Sequence, residues 1–137
     1  MLLTPHYGEF SRLSGASIEE IAADPLEAAR SYASNNGVAM LLKGTPTVIA
    51  SRERPVLLNT SGTEALATAG SGDVLAGIIV ALAAKGADIV NAAAAAAWFH
   101  GRAGDLASDV ASLVSSGMVL DSLQQAFQEV FDVEEHL

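Results

Sequence analysis

The chain has 137 residues, enough for one compact domain but not for two, and half of them are hydrophobic, which allows a substantial core. Acidic residues outnumber basic ones by 16 to 7 and no run of Lys or Arg stands out, so composition disfavours a nucleic-acid partner. The absence of cysteine excludes disulfides, thiolate metal sites and a cysteine nucleophile, and it is compatible with a reducing cytoplasm.

The first part of the chain predicts one short strand followed by helices. The strand covers residues 1–3, and the helices cover residues 7–13, 17–23 and 25–35. Ser17 is a predicted N-cap, because Glu20 stands three residues later and completes a capping box. Asp24 is the predicted cap of the longer helix, since Pro25 suits the first helical position.

The middle of the chain predicts strands. Residues 38–43 (VAMLLK) are almost continuously apolar and short, which is typical of a strand covered on both faces. Residues 47–50 and 56–59 are two further strands that form a hairpin, with residues 52–55 as the turn. The following residues, 60–71, are rich in Gly, Thr and Ser and indicate a loop.

The remaining part of the chain, from about residue 74, predicts mainly helices. They are predicted from about residue 74 to Gly86, from Asp88 to about Asp105, and over residues 117–131. The longest apolar run, residues 74–84, is too short for a bilayer, so we expect no membrane partner. The element order predicts a layered α/β fold with helices packed on a mostly parallel sheet. The strands are few and the chain opens in mid-element, so we expect an additional N-terminal part.

The segment most informative about chemistry is residues 67–77 (ATAGSGDVLAG), where glycines lead directly into an amphipathic helix. Amides at a helix start lack partners, and glycine lets phosphate oxygens approach the main chain closely. Asp73 falls in the first turn, where a carboxylate can take a proton from a hydroxyl that attacks phosphorus. The alternative is that Asp73 only complements the helix dipole. The segment is neither a Walker-type loop nor a dinucleotide fingerprint.

Three segments in order resemble the NAD(P)H-hydrate dehydratase branch of the ribokinase-like enzymes. Residues 69–77 (AGSGDVLAG) resemble the signature of ribokinase-like kinases, residues 4–10 (TPHYGEF) resemble the Thr-Pro-His-Pro-Gly-Glu motif of the branch, and residues 41–49 (LLKGTPTVI) resemble its strand, Lys-Gly, Thr, strand element. The resemblance covers most of the chain. It implies that residues 1–137 form one domain, the C-terminal half of a ribokinase-like fold.

The resemblance also implies roles for particular residues. Asp73 would be the catalytic base and would touch the substrate together with His6. Gly72 would line the phosphate site of the nucleotide. The nucleotide would also be contacted by Lys43, Gly44, Thr45, Pro46 and Thr47.

The implied activity is that of a carbon–oxygen lyase in nicotinamide nucleotide repair. ADP, or ATP, would drive dehydration of the S-epimer of NAD(P)H-hydrate to NAD(P)H, with release of AMP and phosphate. The resemblance further implies Mg²⁺, a cytoplasmic location, and either homo-oligomers or association with the N-terminal half. Two alternatives stay open: a kinase of the same fold acting on a vitamin precursor or sugar, and a non-catalytic nucleotide-binding or assembly fragment.

Some residues depart from the family pattern or invite other interpretations. Tyr7 stands where the family usually has proline, and residues 63–65 (TEA) replace a more common Asn-Pro-Gly-type stretch. His100 and Asp105 share a helix face, and we predict packing and capping roles because no metal-ligand or triad spacing accompanies them. Glu9 is a weak candidate for Mg²⁺, and we assign no residue as a metal ligand.

Overall fold

A computed structural model describes the backbone of residues 1–135 and the side chains of residues 1–130. The chain divides into two compact units. The first comprises residues 1–60 and 87–94, and the second comprises residues 61–86 and 95–137.

The first unit contains one sheet and three helices. Its elements are β1 (Leu2–Leu3), α1 (Tyr7–Ser14), α2 (Ile18–Ala23), α3 (Pro25–Asn36), β2 (Ala39–Leu42), β3 (Thr47–Ser51) and β4 (Arg54–Asn59). The strands are arranged in the order β1-β2-β3-β4. Every residue of β2 is buried, as the apolar run over residues 38–43 predicted.

The sheet is mixed in direction. β1 pairs with β2 in parallel, whereas β2 pairs with β3, and β3 with β4, in antiparallel fashion. The α/β layering is confirmed, but the expectation of a mostly parallel sheet is wrong for these four strands. The hairpin is the reason, since a direct β3–β4 connection forces antiparallel pairing and β3 also runs against β2.

The hairpin turn is shorter than predicted. Ser51 pairs with Arg54, so only Arg52 and Glu53 form the turn, and Arg54 and Pro55 already belong to β4. Pro55 fits there because β4 is an edge strand, where a missing N–H removes no essential ladder bond.

The predicted helix caps are confirmed. The Ser17 hydroxyl accepts from the Glu20 amide at 3.1 Å, and the Glu20 carboxylate accepts from the Ser17 amide at 2.8 Å. Asp24 caps α3 with Pro25 at its start, and Gly37 ends that helix in the left-handed conformation at φ 63°. Each device satisfies backbone groups that a helix end leaves without partners.

The core of the first unit lies between the helices and the sheet. Apolar side chains of all three helices meet those of β2 and β3 there, and the buried members are Phe10, Ile21, Ala29, Ala33, Met40, Leu42, Val48 and Ala50. Phe10 also packs edge-on against Tyr32, with ring centroids 5.2 Å apart. This packing holds the ends of β1 and β2, and the start of α1, in fixed positions.

The second unit is helical. A 3₁₀ turn at Glu64–Leu66 precedes α4 (Ser71–Ala84), and α5 (Ile89–Val110) and α6 (Ser116–Glu135) follow. The first residues of α5 belong to the first unit, and Asp88 caps that helix by accepting from the Val90 and Asn91 amides. α6 is longer at its end than the predicted 117–131. Among the residues described, no helix combines the length and the apolar character that a membrane crossing requires.

The core of the second unit is built largely from small and medium side chains. Ala103, Val119 and Ala126 are fully buried, and their apolar neighbours are Leu66, Val74, Phe99, Leu106, Val114 and Leu123. Arg102 donates two hydrogen bonds to the Glu129 carboxylate, at 2.7 and 2.8 Å, which joins α5 to α6. This two-bond geometry makes the pair more specific than a single-contact ion pair.

Candidate functional site

His6 is the N-cap of α1. Its Nδ1 accepts from the Glu9 amide at 3.1 Å, and the Glu9 carboxylate accepts from the His6 amide at 2.8 Å, which forms a reciprocal capping box. The role of Glu9 is therefore visible in the first unit: it closes the turn that carries His6. Sequence reasoning offered Glu9 only as a weak metal candidate, although its spacing of three residues from His6 was the signal of a cap.

The His6 ring lies over Gly8. A Cβ atom on Gly8 would lie 3.1 Å from the ring atom Cε1, so a larger residue would push the ring away. Because Nδ1 accepts a hydrogen bond, the proton of the neutral ring resides on Nε2. The Nε2 atom lies 3.5 Å from Glu9 Oε1, and 54% of the side chain is exposed, so the ring lies at the surface beside that carboxylate.

Lys43 lies beside His6 at the end of β2. The two residues form a parallel bridge, and the Lys43 amide donates to the Pro5 carbonyl at 2.8 Å. The Lys43 Nζ is 3.5 Å from Glu9 Oε2. The hydrogen bond from the His6 amide, with a further contribution from the Lys43 ammonium, holds the pKa of Glu9 below its usual range, although partial burial opposes this. Glu9 is consequently charged at neutral pH.

Residues 44–46 form the turn between β2 and β3, and Gly44 and Thr45 are exposed, whereas Thr47 begins β3. The Thr47 hydroxyl donates to the Gly44 carbonyl at 3.1 Å, and the Thr45–Pro46 peptide bond is cis. A Cβ atom on Gly44 would lie 2.9 Å from ring atoms of Tyr7, so the ring covers this glycine. Tyr7, the residue that departs from the family pattern, thus packs one predicted site segment against the other within the first unit.

Gly72 and Asp73 lie in the second unit, at the start of α4. Gly70 precedes the helix in the left-handed conformation at φ 82°, and a Cβ atom there would lie 3.0 Å from the Ser116 hydroxyl oxygen. Glycine is therefore required at this position both by its backbone angle and by its neighbour. No side chain caps the first turn.

The amides of this first turn differ in their partners. Those of Ser71 and Asp73 donate to the carbonyls of Thr68 and Gly70, at 3.2 and 3.1 Å. Within the described part of the chain, the Gly72 amide donates no hydrogen bond, and Gly72 and Asp73 are both exposed. A free N–H at the positive end of a helix dipole is a suitable partner for a phosphate oxygen.

A buried pair lies directly beneath this turn. Ser71 and His100 are the buried polar side chains among residues 1–130, and the Ser71 Oγ lies 3.0 Å from the His100 Nε2. Sequence reasoning missed the pairing, because the two residues are 29 positions apart and the glycine-rich segment around Ser71 does not indicate which distant residue its side chain meets. Burial lowers the pKa of His100, and the hydrogen bond with Ser71 opposes this only in part, so the ring is neutral at pH 7.

We expect the buried His100 to make stability depend on pH. Because its pKa is lower in the folded chain than its unfolded value of about 6.5, the unfolded state gains protons first as the pH falls. Its contribution is fully present above that value and is lost as the pH falls towards the folded pKa. Denaturant unfolding from pH 8 to pH 5 should show a steeper loss of stability in the wild type than in His100→Gln, and equal slopes would contradict this.

Asp105, for which we predicted a packing or capping role, binds a backbone amide. Its carboxylate accepts from the Gly62 amide at 3.2 Å, so it binds the loop before α4. Residues 63–65 form the start of the 3₁₀ turn, which the Thr63 side chain caps. In the described residues, no three His, Cys, Asp or Glu side chains are grouped to hold a metal ion.

The family profile described as NAD(P)H-hydrate dehydratase matches residues 1–129. The chain belongs to this family. This match confirms the resemblance to the family that the three sequence segments predicted. Among relatives, the ADP-dependent (S)-NAD(P)H-hydrate dehydratase of Neisseria meningitidis serogroup B is 40% identical over 126 residues, which are 92% of this chain and 42% of that protein.

Solved structures agree with the family assignment. The ADP/ATP-dependent NAD(P)H-hydrate dehydratase from Bacillus subtilis, co-crystallized with ATP/Mg²⁺, matches 93% of this chain and 47% of its own, at 32% identity and a TM-score of 0.86. Arabidopsis thaliana ribokinase matches 89% of this chain at 18% identity and a TM-score of 0.51, which shows the fold alone. The fold is therefore ribokinase-like, and the chain spans less than half the length of each of these proteins.

Proposed function

We propose that this chain provides the phosphate-binding and proton-accepting part of an ADP-dependent (S)-NAD(P)H-hydrate dehydratase. The observation that carries the proposal is the start of α4, where an unpaired Gly72 amide and an exposed Asp73 carboxylate stand together in a member of this family. A glycine-rich helix start binds phosphate oxygens, and a carboxylate beside it receives a proton during phosphoryl transfer.

The proposed chemistry has two steps. Asp73 takes the proton of the substrate hydroxyl as the hydroxyl oxygen bonds to the terminal phosphorus of ADP, and the bond to the leaving AMP breaks. The carbon–oxygen bond of the phosphorylated intermediate then breaks, so that phosphate leaves and the ring loses a proton to give NADH or NADPH. The Gly72 amide stabilises negative charge on the transferred phosphoryl group. The overall reaction is that of a lyase.

The first unit contributes contacts to the two ligands in this proposal. The Lys43 ammonium binds a nucleotide phosphate, and residues 44–47 contact the same nucleotide. The Nε2–H of His6, which lies at the surface beside the Glu9 carboxylate, donates to the hydrated nicotinamide nucleotide. Mg²⁺ accompanies the nucleotide, and its ligands would be chiefly phosphate oxygens, as is usual for this ion.

We also propose how the chain is completed. Relatives with this activity are about twice as long or longer, so the remaining part of the ribokinase-like domain, of which this chain is the C-terminal half, is contributed by another segment or polypeptide. Association into homo-oligomers is part of the same proposal. We place the protein in the cytoplasm, where ADP and the nicotinamide nucleotides that need repair are abundant.

We expect Lys43→Ala to weaken the binding of ADP more than the binding of adenosine, because the proposed contact is to phosphate. The loss for ADP should be about 1–3 kcal/mol, the usual range for a charge-assisted hydrogen bond. Isothermal titration calorimetry with both ligands measures the difference.

Two control variants sharpen this test. Lys85→Ala removes the chain's other lysine and should change neither affinity. Glu9→Gln removes the partner of Lys43 but keeps the ammonium, so it should not reproduce the loss of ADP binding. Equal losses for ADP and adenosine in Lys43→Ala would assign Lys43 a structural role and contradict the phosphate contact.

A further inference from the structure

Two glycines of α5 allow the loop before α4 to approach the helix backbone. A Cβ atom on Gly101 would lie 2.6 Å from the backbone carbon and oxygen of Ser61, and it would also overlap the Ser61 hydroxyl. A Cβ atom on Gly104 would lie 2.6 Å from the side chain of Leu66. A larger residue at Gly101 would displace the loop backbone, and one at Gly104 would displace the Leu66 side chain. Glycine is unfavourable in a helix interior. The close approach of the loop explains why glycine occupies these two buried positions.

Hydrogen bonds join the same helix face to the same loop. The Ser61 hydroxyl donates to the Trp98 carbonyl at 3.1 Å, and the Asp105 carboxylate accepts from the Gly62 amide at 3.2 Å. The His100 ring is bonded to Ser71 at the far end of the loop. The loop is therefore held at both ends, and it runs directly into the amide and carboxylate of the proposed phosphate site.

We propose that this face of α5 is a loop platform that sets the position of the Gly72 amide and the Asp73 carboxylate for nucleotide phosphate. The loop platform is defined by Trp98, His100, Gly101, Gly104 and Asp105. Trp98, Gly101 and Asp105 are spaced three, four and seven residues apart, and His100 and Gly104 are four apart, so these two neighbouring rows lie along one side of the helix. Its members are positioning residues. The inference rests on the proposed function, because it takes the bound ligand to be a nucleotide.

The platform acts through the backbone of the loop. The Gly72 amide has to be free and correctly directed to bind phosphate, and its direction depends on Gly70 and Ser71 before it. The Ser71 side chain is fixed by a buried hydrogen bond that water does not weaken by competition. A shift of the loop by an ångström would misplace the amide, which is enough to reduce phosphate binding strongly.

Gly101→Ala tests the platform, with Gly77→Ala as its matched control. Both change a helical glycine to alanine, but a Cβ atom on Gly77 meets nothing within 4 Å. We expect Gly101→Ala to weaken ADP binding about tenfold or more and to speed amide hydrogen exchange across residues 61–72. Gly77→Ala should leave both quantities at wild-type values. Calorimetry with ADP and exchange followed by mass spectrometry provide the readouts.

A second pair of variants covers the case in which Gly101→Ala fails to fold. Asp105→Asn keeps an acceptor for the Gly62 amide, whereas Asp105→Ala removes it. We expect Asp105→Ala to loosen residues 61–72 and weaken ADP binding, and Asp105→Asn to restore most of both. A residue that served only global stability would lower the unfolding temperature without this selective change in loop exchange.

The outcomes separate this inference from the function on which it rests. If the wild-type chain binds no ADP, the proposed function is overturned and the inference falls with it. If the wild type binds ADP and folded Gly101→Ala or Asp105→Ala binds it equally well, the platform is overturned while the function stands. Unchanged exchange of residues 61–72 in those variants would also overturn it.

Discussion

We expect Asp73→Asn to reduce dehydration by roughly 10²–10⁴-fold, the usual contribution of a general base. ADP binding should persist or become tighter, because the substitution removes a negative charge beside the phosphate site. The assay requires the complete fold, so the variant is made in a chimera in which this chain replaces the aligned region of the Neisseria meningitidis relative, 40% identical to it. Turnover is followed as NADH formation, and ADP affinity by calorimetry.

Asp121→Asn is the control for this variant. It also removes one exposed carboxylate from a helix, but it lies on α6, away from the start of α4 in the sequence. We expect its turnover to match that of the unmodified chimera. Near-normal turnover in Asp73→Asn would remove Asp73 from the catalytic role and leave it as a residue that complements the helix dipole.

We expect the chain by itself to bind ADP weakly and to show no dehydration, whereas the chimera is active. The proposed phosphate contacts, the amide of Gly72 and the ammonium of Lys43, belong to this chain, so we expect phosphate binding without the rest of the fold. Turnover does require it, because the substrate must be held in place while its hydroxyl attacks phosphorus. The chain matches 42% of the Neisseria relative, which leaves more than half of that protein to hold the substrate.

The comparison is made at matched protein concentration. The chain alone, the chimera and the chimera with Asp73→Asn are assayed with NADH-hydrate and ADP. Full activity of the chain alone would contradict the proposal that it is one half of a domain. An inactive chimera that still binds ADP would favour the non-catalytic alternative.

Local features of the fold were predictable because their causes are local. The Ser17–Glu20 capping box and the Asp24 cap before Pro25 depend on side chains three residues from the backbone groups that they satisfy. The burial of β2 followed in the same way from its continuous apolar run. The His6–Glu9 box obeys the same rule, yet it was missed because histidine is an unusual first member.

Features that depend on distant residues were not predictable in this way. The bond between Asp105 and Gly62 spans 43 positions, and that between His100 and Ser71 spans 29. Nothing in the local pattern of either residue states which loop it will meet. The prediction of a mostly parallel sheet was wrong for a related reason, because apolar runs identify strands but do not indicate how the strands pair.

The candidate site was predicted partly from local sequence features and partly from family resemblance. The glycine-rich start of α4 and its carboxylate followed from elementary helix physics, but the roles of Lys43 and His6 came from family resemblance. The structure adds the contacts around these residues: Glu9 lies beside His6 and Lys43, and Ser71, next to Gly72, is hydrogen-bonded to His100.

The most direct test of the proposed reaction is a product balance in the active chimera. The S-epimer of NADPH-hydrate is incubated with ADP, and NADPH, AMP and inorganic phosphate are quantified together. We expect the three products in equal amounts, and we expect the Asp73→Asn chimera to form all three roughly 10²–10⁴-fold more slowly. Release of AMP with a stable phosphorylated product, but without NADPH or inorganic phosphate, would contradict dehydration and identify a kinase instead.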